Sequence, residues 1–423
     1  MTTSAAALQS LWDSVSTEDA HRHAETLTEY INTNGLRTLL SERILDELLD
    51  KLKDKKQAHL RERAAIGLGA VASKVAGKNA PMPLGAEPWL VNAIPPLLDG
   101  YGDKNEAAKK AAEGAMGALV PLFPPEAAAE LLEMLYSVIT SGTAKWQAKV
   151  GALKIISRLA DLAYEQVGDE LTQITPVLTQ GMHETKAEVS KQAIKTATKV
   201  CGVIDNNDIR PFIPDLVGCM DRPDTVPDCI KKLSSITFVA EVTGPALAVM
   251  VPLLSRALNE RSQTVQRQSV IIVDNLCKLV RDPHTAAMYL PSLLPSVERI
   301  EQGASFPEVR EHAKSAVQTL RAAFAEADKS KDDPHSTDPV AAQAADREHA
   351  LQCLAKAVQP HVPAGIVFSA LGDSYTRTGL EYVARLLVRL ADKRVVQAEP
   401  WNDVYVLPYL RRVCELSLIH ISE

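Results

Sequence analysis

What is scarce in this 423-residue sequence narrows its function before any motif is considered. Aromatic side chains make up only 4% of it while hydrophobic residues reach 46%, which disfavours the cores of sandwiches and barrels and suits many small helix–helix contacts. Six cysteines, Cys201, Cys219, Cys229, Cys277, Cys353 and Cys414, are scattered without a CxxC pair, so they read as reduced core residues rather than a disulfide or zinc framework. Cationic excess is missing too. The net charge of −7 excludes a global field that attracts nucleic acid and leaves any contact with RNA to local patches. No apolar run approaches the roughly 18 residues of a membrane span, and the opening MTTSAAALQS lacks a charged segment leading into an apolar one. A soluble, cytoplasmic chain with no membrane partner is expected.

Signatures of chemistry are absent as well. A phosphate loop needs GxxxxGK[ST] between a strand and a helix, and the nearest approach, Gly67-Leu68-Gly69-Ala70-Val71-Ala72-Ser73-Lys74, lacks the Gly before Lys and lies in an amphipathic helix. Its glycines are expected to let helices pack closely. The histidines form no HExxH, and His21-Arg22-His23 splays its rings around a helix, which suits a solvated surface better than a metal site. There is no GxSxG elbow. Neither catalysis, metal, cofactor nor small-molecule substrate is expected of this chain.

What is there is repetition. Pro followed by an apolar stretch recurs in Ile94-Pro95-Pro96-Leu97-Leu98, Thr175-Pro176-Val177-Leu178, Ile213-Pro214-Asp215-Leu216, Val251-Pro252-Leu253-Leu254 and Leu294-Pro295-Ser296-Val297, with steps from Pro176 onward of about 38, 38 and 43 residues. Proline inside these first helices predicts a kink at the preceding turn and a consistent curvature. Second helices begin near Asn105-Glu106-Ala107, Lys145-Trp146-Gln147, Ala187-Glu188-Val189, Thr264-Val265-Gln266 and Glu308-Val309-Arg310. In the last, Val309, Ala313, Ala316, Val317 and Leu320 make one apolar stripe, with Arg310, Glu311 and Lys314 on the wet side.

The period, the prolyl first helix and the E/D-x-V-R/K-x-x-A second helix resemble HEAT repeats. The expected fold is all-α, a HEAT-repeat α-solenoid followed by a smaller helical segment. Residues 1–87 read as irregular helical pairs, with a loop at 77–87, and residues 88–324 as six pairs starting near 88, 125, 164, 207, 243 and 282. Residues 325–347, rich in Ala, Asp, Lys, Ser and Pro, read as a flexible linker, 348–416 as a further helical segment and 417–423 as a tail.

In such arrays the turns within helix pairs line one edge at regular spacing and offer a binding surface. Charged residues gather there: Lys145, Trp146 and Lys149 in one unit, Lys186 in the next, then Arg261 and Arg267. Trp146 suits either an anchor with a cationic rim or burial between hairpins. Lys53, Lys55 and Lys56 form the densest basic cluster, interrupted by Asp54, and are the remaining candidates for phosphate.

At the fifth pair the sequence becomes specific, with Phe238-Val239-Ala240-Glu241-Val242-Thr243, Met250-Val251-Pro252-Leu253-Leu254-Ser255-Arg256, Leu258-Asn259-Glu260-Arg261 and Val273-Asp274-Asn275-Leu276-Cys277-Lys278-Leu279-Val280. These stretches resemble the N-terminal HEAT domain of fungal-type translation elongation factor three. Lys145 to Lys149, Thr185 to Val189 and Asp208-Ile209-Arg210-Pro211-Phe212-Ile213-Pro214 extend the likeness. The resemblance implies a ribosome-facing domain, touching ribosomal proteins and rRNA, from a family of cytosolic ABC-type ATPases that promote release of deacylated tRNA from the exit site. ATP and magnesium belong, on this likeness, to cassettes of the full-length parent, and this sequence stops before any Walker motif. Residues 417–423 do not continue the family pattern. Two alternatives share parts of it: the HEAT region of the translation-control protein that activates the kinase sensing amino-acid starvation, and a tubulin-binding TOG array, whose Trp-and-basic turns Lys145 to Lys149 echo.

Overall fold

The computed structural model describes residues 3–35, 38–75, 90–123 and 125–330. They fall into two compact units, one ending at Ile155 and the other beginning at Ile156. Every regular element among the described residues is helical, as expected.

The first unit holds α1 (Ser4–Trp12), α2 (Thr17–Asn34), α3 (Thr38–Ser41), α4 (Ile44–Leu52), α5 (Ala58–Ala70), α6 (Ile94–Gly100), α7 (Glu106–Leu119), α8 (Ala128–Thr140) and the start of α9 (Trp146–Leu162). Local chemistry sets where these begin. Ser16 accepts the amide of Asp19 at 3.1 Å, and Glu18 and Asp19 in the first turn of α2 complement its dipole. Asn105 does the same for α7, accepting from Ala107 and Ala108 at 2.9 and 3.0 Å.

Packing then follows helical phase. α2 buries Ala20, Ala24, Leu27, Thr28 and Ile31, and α4 buries Ile44, Leu45, Leu48, Leu49 and Leu52, each fully buried Leu contributing roughly 2 kcal/mol. α5 has no wet face through its middle, where Glu62 to Leu68 are all buried, because α2, α4 and α7 surround it. The Gly67–Lys74 segment explains that density. A Cβ on Gly69 would stand 3.1 Å from the Cα of Ala115, so its glycine lets α5 and α7 meet backbone to backbone. Lys74 is ion-paired with Glu25, so it serves as an inter-helix tie.

The second unit continues with α10 (Tyr164–Asp169), α11 (Leu171–Met182), α12 (Ala187–Cys201), α13 (Ile213–Asp221), α14 (Val226–Leu233), α15 (Gly244–Leu258), α16 (Gln263–Leu279), α17 (Pro283–Tyr289), α18 (Leu294–Gly303) and α19 (Pro307–Ser330). α11 packs on α12, α15 on α16, and α18 on α19 as antiparallel hairpins. The stripe foreseen on α19 is the buried one: Val309, Ala313, Ala316, Val317 and Leu320 are all at most 4% exposed.

Three expectations change. Among the described residues proline lies inside a helix only at Pro176 of α11 and Pro252 of α15, whereas Pro95, Pro96, Pro214 and Pro295 occupy the first turn of α6, α13 and α18. At that position the missing N–H costs no helical bond and the fixed φ favours initiation, so these residues start helices instead of bending them. The α13–α14 hairpin is also irregular, because α14 stops at Leu233 and residues 234–243 are not helical. Finally, α19 runs to Ser330, so residues 325–330 of the expected linker are helical; Ala, Glu, Asp and Lys sustain a helix until a breaker arrives. The loop at 77–87, the rest of that linker and the segments 348–416 and 417–423 lie outside the described residues, as do Cys353 and Cys414.

Candidate partner-binding edge

Six hairpins reverse through a short polar turn, at residues 53–57, 101–105 and 141–145 in the first unit and 183–186, 259–262 and 304–306 in the second. Side chains build these turns. Asp54 accepts the amides of Lys56 and Gln57 at 2.7 and 2.8 Å, and these bonds, that of Gln57 first, hold its carboxyl below the usual value. Ser141 accepts from Thr143 and Ala144, both at 3.2 Å, and Ser262 accepts from Val265 at 3.5 Å.

In the first unit the turns are also cross-linked. Arg61 forks onto Asp103 through Nε at 2.6 Å and Nη2 at 3.0 Å, while its Nη1 donates to the Asp54 carbonyl at 2.8 Å. Lys145 donates to the Gly102 carbonyl at 2.9 Å. The Asp103 carboxylate is 6% exposed, and the Arg61 hydrogen bond holds its pKa below the usual value.

That depression has a stability consequence. Because the folded pKa lies below the unfolded one, the pair stabilises fully above about pH 4 and its contribution is lost as pH falls through the folded value. Asp103→Asn is expected to cost about 2 kcal/mol at neutral pH and to flatten the acid limb of stability against pH. Denaturant unfolding at several pH values checks this; an unchanged acid limb would show that the pair is inert.

The structure sorts the expected contact residues. Lys53, Lys55 and Lys56 stand exposed together on the 53–57 turn, and Lys186 and Arg261 are exposed on turns of their own. Lys145 is exposed, but its ammonium is engaged with Gly102. Trp146 is half-buried, between its two expected roles. Arg267 is held by Glu308 through Nε at 3.0 Å and through Nη2. Lys149 is a correction. It is only 7% exposed, because its phase on α9 places it with Ala148 and Ala152 on the buried side, so it is no rim residue.

One feature escaped sequence reasoning. Lys104 is exposed on the 101–105 turn at the same phase as the other turn cations, a position that repeat alignment alone identifies.

The motifs that carry the family likeness turn out to be structural ties. Asp208 Oδ2 accepts the amides of Val239 and Ala240 at 2.7 and 2.8 Å, joining the DIRPFIP stretch to FVAEVT. Asn206 donates to the Glu241 carbonyl at 3.1 Å, and Val242 N–H donates to the Leu279 carbonyl at 3.1 Å. Asn259 accepts from Arg299 at 2.6 Å, and Asp274 accepts from Thr319 at 2.6 Å.

Comparison with known proteins agrees with this architecture. The family described as EF3 N-terminal HEAT repeat matches residues 20–197, and that described as Elongation factor 3/GNC1 HEAT repeat matches residues 225–331. The mRNA export factor elf1 of Schizosaccharomyces pombe is 41% identical over 320 residues, covering 75% of this chain and 30% of that protein. Elongation factor 3 of Zygosaccharomyces rouxii is 34% identical, covering 94% of this chain and 36% of its own length. Elongation factor 3A of Saccharomyces cerevisiae is 33% identical with the same 94% and 36% coverage. The chain thus spans about a third of the length of the curated relatives it matches. With two elongation factor 3 HEAT models matching in succession and relatives at this identity along nearly its whole length, the chain belongs to the elongation factor 3 HEAT-repeat family.

Proposed function

We propose that this chain is the ribosome-facing HEAT region of a translation elongation factor acting in the cytoplasm. Its full-length form would use ATP, with magnesium, in separate cassettes to promote release of deacylated tRNA from the exit site. The observation that carries the reading is the display of Lys53, Lys55, Lys56, Lys104, Lys186 and Arg261, all exposed on hairpin turns, by a chain whose net charge is −7. Such a chain binds a polyanion only by local contact, and rRNA bordered by ribosomal proteins offers it.

Co-sedimentation of the purified chain with ribosomes tests this. Binding should weaken steeply with salt, and the chain alone should hydrolyse no ATP. Sedimentation with tubulin and none with ribosomes would favour the TOG-like reading and sink this one. The coding sequence beyond codon 423 separates the remaining alternative: nucleotide-binding cassettes support the elongation factor, and further HEAT repeats support the kinase activator.

A second reading rests on the relative named as an mRNA export factor, which is 41% identical. In it the same turn cations engage messenger ribonucleoprotein rather than ribosomes. Recovery with polyadenylated RNA after ribosomes have been cleared distinguishes the two.

A further inference from the structure

We propose, on the reading of the hairpin turns as a polyanion-binding edge, that Arg61 and Asp103 are positioning residues for RNA. Their fork fixes the turn cations Lys53, Lys55, Lys56 and Lys104 in one row, and that row takes the stiff backbone of double-helical RNA in preference to a flexible strand.

Polar bonds run unbroken through consecutive turns of the first unit. The amides of Lys56 and Gln57 donate to Asp54 Oδ1 at 2.7 and 2.8 Å, and the Asp54 carbonyl accepts Arg61 Nη1 at 2.8 Å. The other two nitrogens of that guanidinium lie on Asp103, at 2.6 and 3.0 Å. Asp103 Oδ1 also accepts the amide of Asn105 at 2.9 Å, so the carboxylate that holds the 53–57 turn shapes the turn that carries Lys104. Lys145 extends the chain to the third turn, its ammonium on the Gly102 carbonyl and its stem so close that a Cβ on Gly102 would overlap it. A guanidinium suits this task because its donors point in fixed directions and can hold a carbonyl and a carboxylate together, which an ammonium does not do. The tie is covered while the charges it places are open: the Asp103 carboxylate is 6% exposed and the Arg61 side chain 21%, whereas Lys53, Lys55, Lys56 and Lys104 all face solvent.

Two observations favour the duplex. Packed helices stand roughly 8–10 Å apart, so neighbouring turns offer their cations at about that interval, and the fork keeps them there. Cations already in place lose little freedom on binding, and this advantage is realised against phosphates that are equally fixed, those of a double helix read by shape and backbone. A flexible strand bends to meet cations wherever they stand and gains little from their order. Proteins that take single strands also stack the bases on exposed aromatic rings. The 53–57 turn has no aromatic residue, and Tyr101, the one aromatic of the 101–105 turn, is buried.

The experiment titrates the purified chain into a labelled RNA duplex of about 16 base pairs and, separately, into one of its strands, with circular dichroism confirming that each variant is folded. The unsubstituted chain should prefer the duplex. Asp103→Asn should weaken duplex binding by about 3- to 10-fold and barely change strand binding, although it removes a negative charge and charge alone predicts tighter binding. Arg61→Lys keeps the net charge and should act in the same direction, which serves where Asp103→Asn does not fold. Lys104→Gln should lower duplex affinity in the unsubstituted chain and much less in the Asp103→Asn background, a loss of coupling that general destabilisation does not produce. Duplex binding that is unchanged or tighter in both fork variants, additive effects of Lys104→Gln, or preference for the strand would each overturn the proposal and leave the polyanion-binding reading standing. Ribosome binding without affinity for either RNA would place a ribosomal protein on these turns and overturn the proposal alone. Binding to neither ribosomes nor RNA would overturn both.

Discussion

Reversing the charge of Lys53, Lys55 and Lys56 together is expected to weaken ribosome binding by about 10- to 100-fold at moderate salt and to lower the slope of log affinity against log salt by about two. All three are exposed on one turn, and their side chains make no ion pair among the described residues, so the substitution removes interface charge and leaves packing alone. Lys186→Glu and Arg261→Glu should each give a smaller loss of the same kind, one cation apiece. Lys149 is the informative contrast. Buried on α9, its reversal should unfold the protein rather than change the salt slope, and its effect would appear in thermal melting. Co-sedimentation across a salt series separates the outcomes. Undiminished binding by the triple variant would remove the 53–57 turn from the interface.

Gly151→Ala should destabilise the first unit by about 2 kcal/mol, and Gly151→Val by about 4. Helix propensity alone predicts the opposite sign for alanine, a gain of roughly 1 kcal/mol inside α9. The contact decides. A Cβ at Gly151 would lie 2.4 and 2.5 Å from two ring carbons of Tyr101 and 3.2 Å from Leu98, and Tyr101 is itself buried at 9% exposure. A buried ring cannot swing away as an exposed lysine would. Gly114 in α7 is the matched control, because nothing lies within 4 Å of a Cβ there, so Gly114→Ala should be neutral or stabilising by about 0.5 kcal/mol. Chemical denaturation of the pair of variants makes the comparison, and a stabilised Gly151→Ala would contradict the packing described.

The fold was legible because its signals are periodic. The stripe Val309, Ala313, Ala316, Val317 and Leu320 declares its helix, its phase and its buried face in five residues. Proline was harder. Ile-Pro, Leu-Pro or Val-Pro before an apolar run looks alike whether the ring opens a helix, as at Pro214 and Pro295, or interrupts one, as at Pro252, because the difference lies in what precedes it. The candidate site was legible only as a list of charges. Sequence shows charge but not how far a packed neighbour covers it, so Lys145, in the turn before α9, and Lys149, inside the helix, read together although one is exposed and the other buried. Nor does it show partners: Glu308 takes Arg267 from a neighbouring hairpin, 41 residues away.

The clamp made by Asp208 bears on how the second unit melts. In a stack of repeats, stability is a sum of each repeat's own free energy and its coupling to the next, and a weak repeat in the middle ordinarily divides the stack into blocks that unfold separately. The hairpin with the shortened second helix is such a weak link. Its trailing segment nevertheless stays fastened at both ends, to Asp208 and Asn206 on one side and to the Leu279 carbonyl on the other. Coupling that helix packing would supply elsewhere is carried at that point by a few polar bonds, which lets the repeats before and after it behave as one cooperative block.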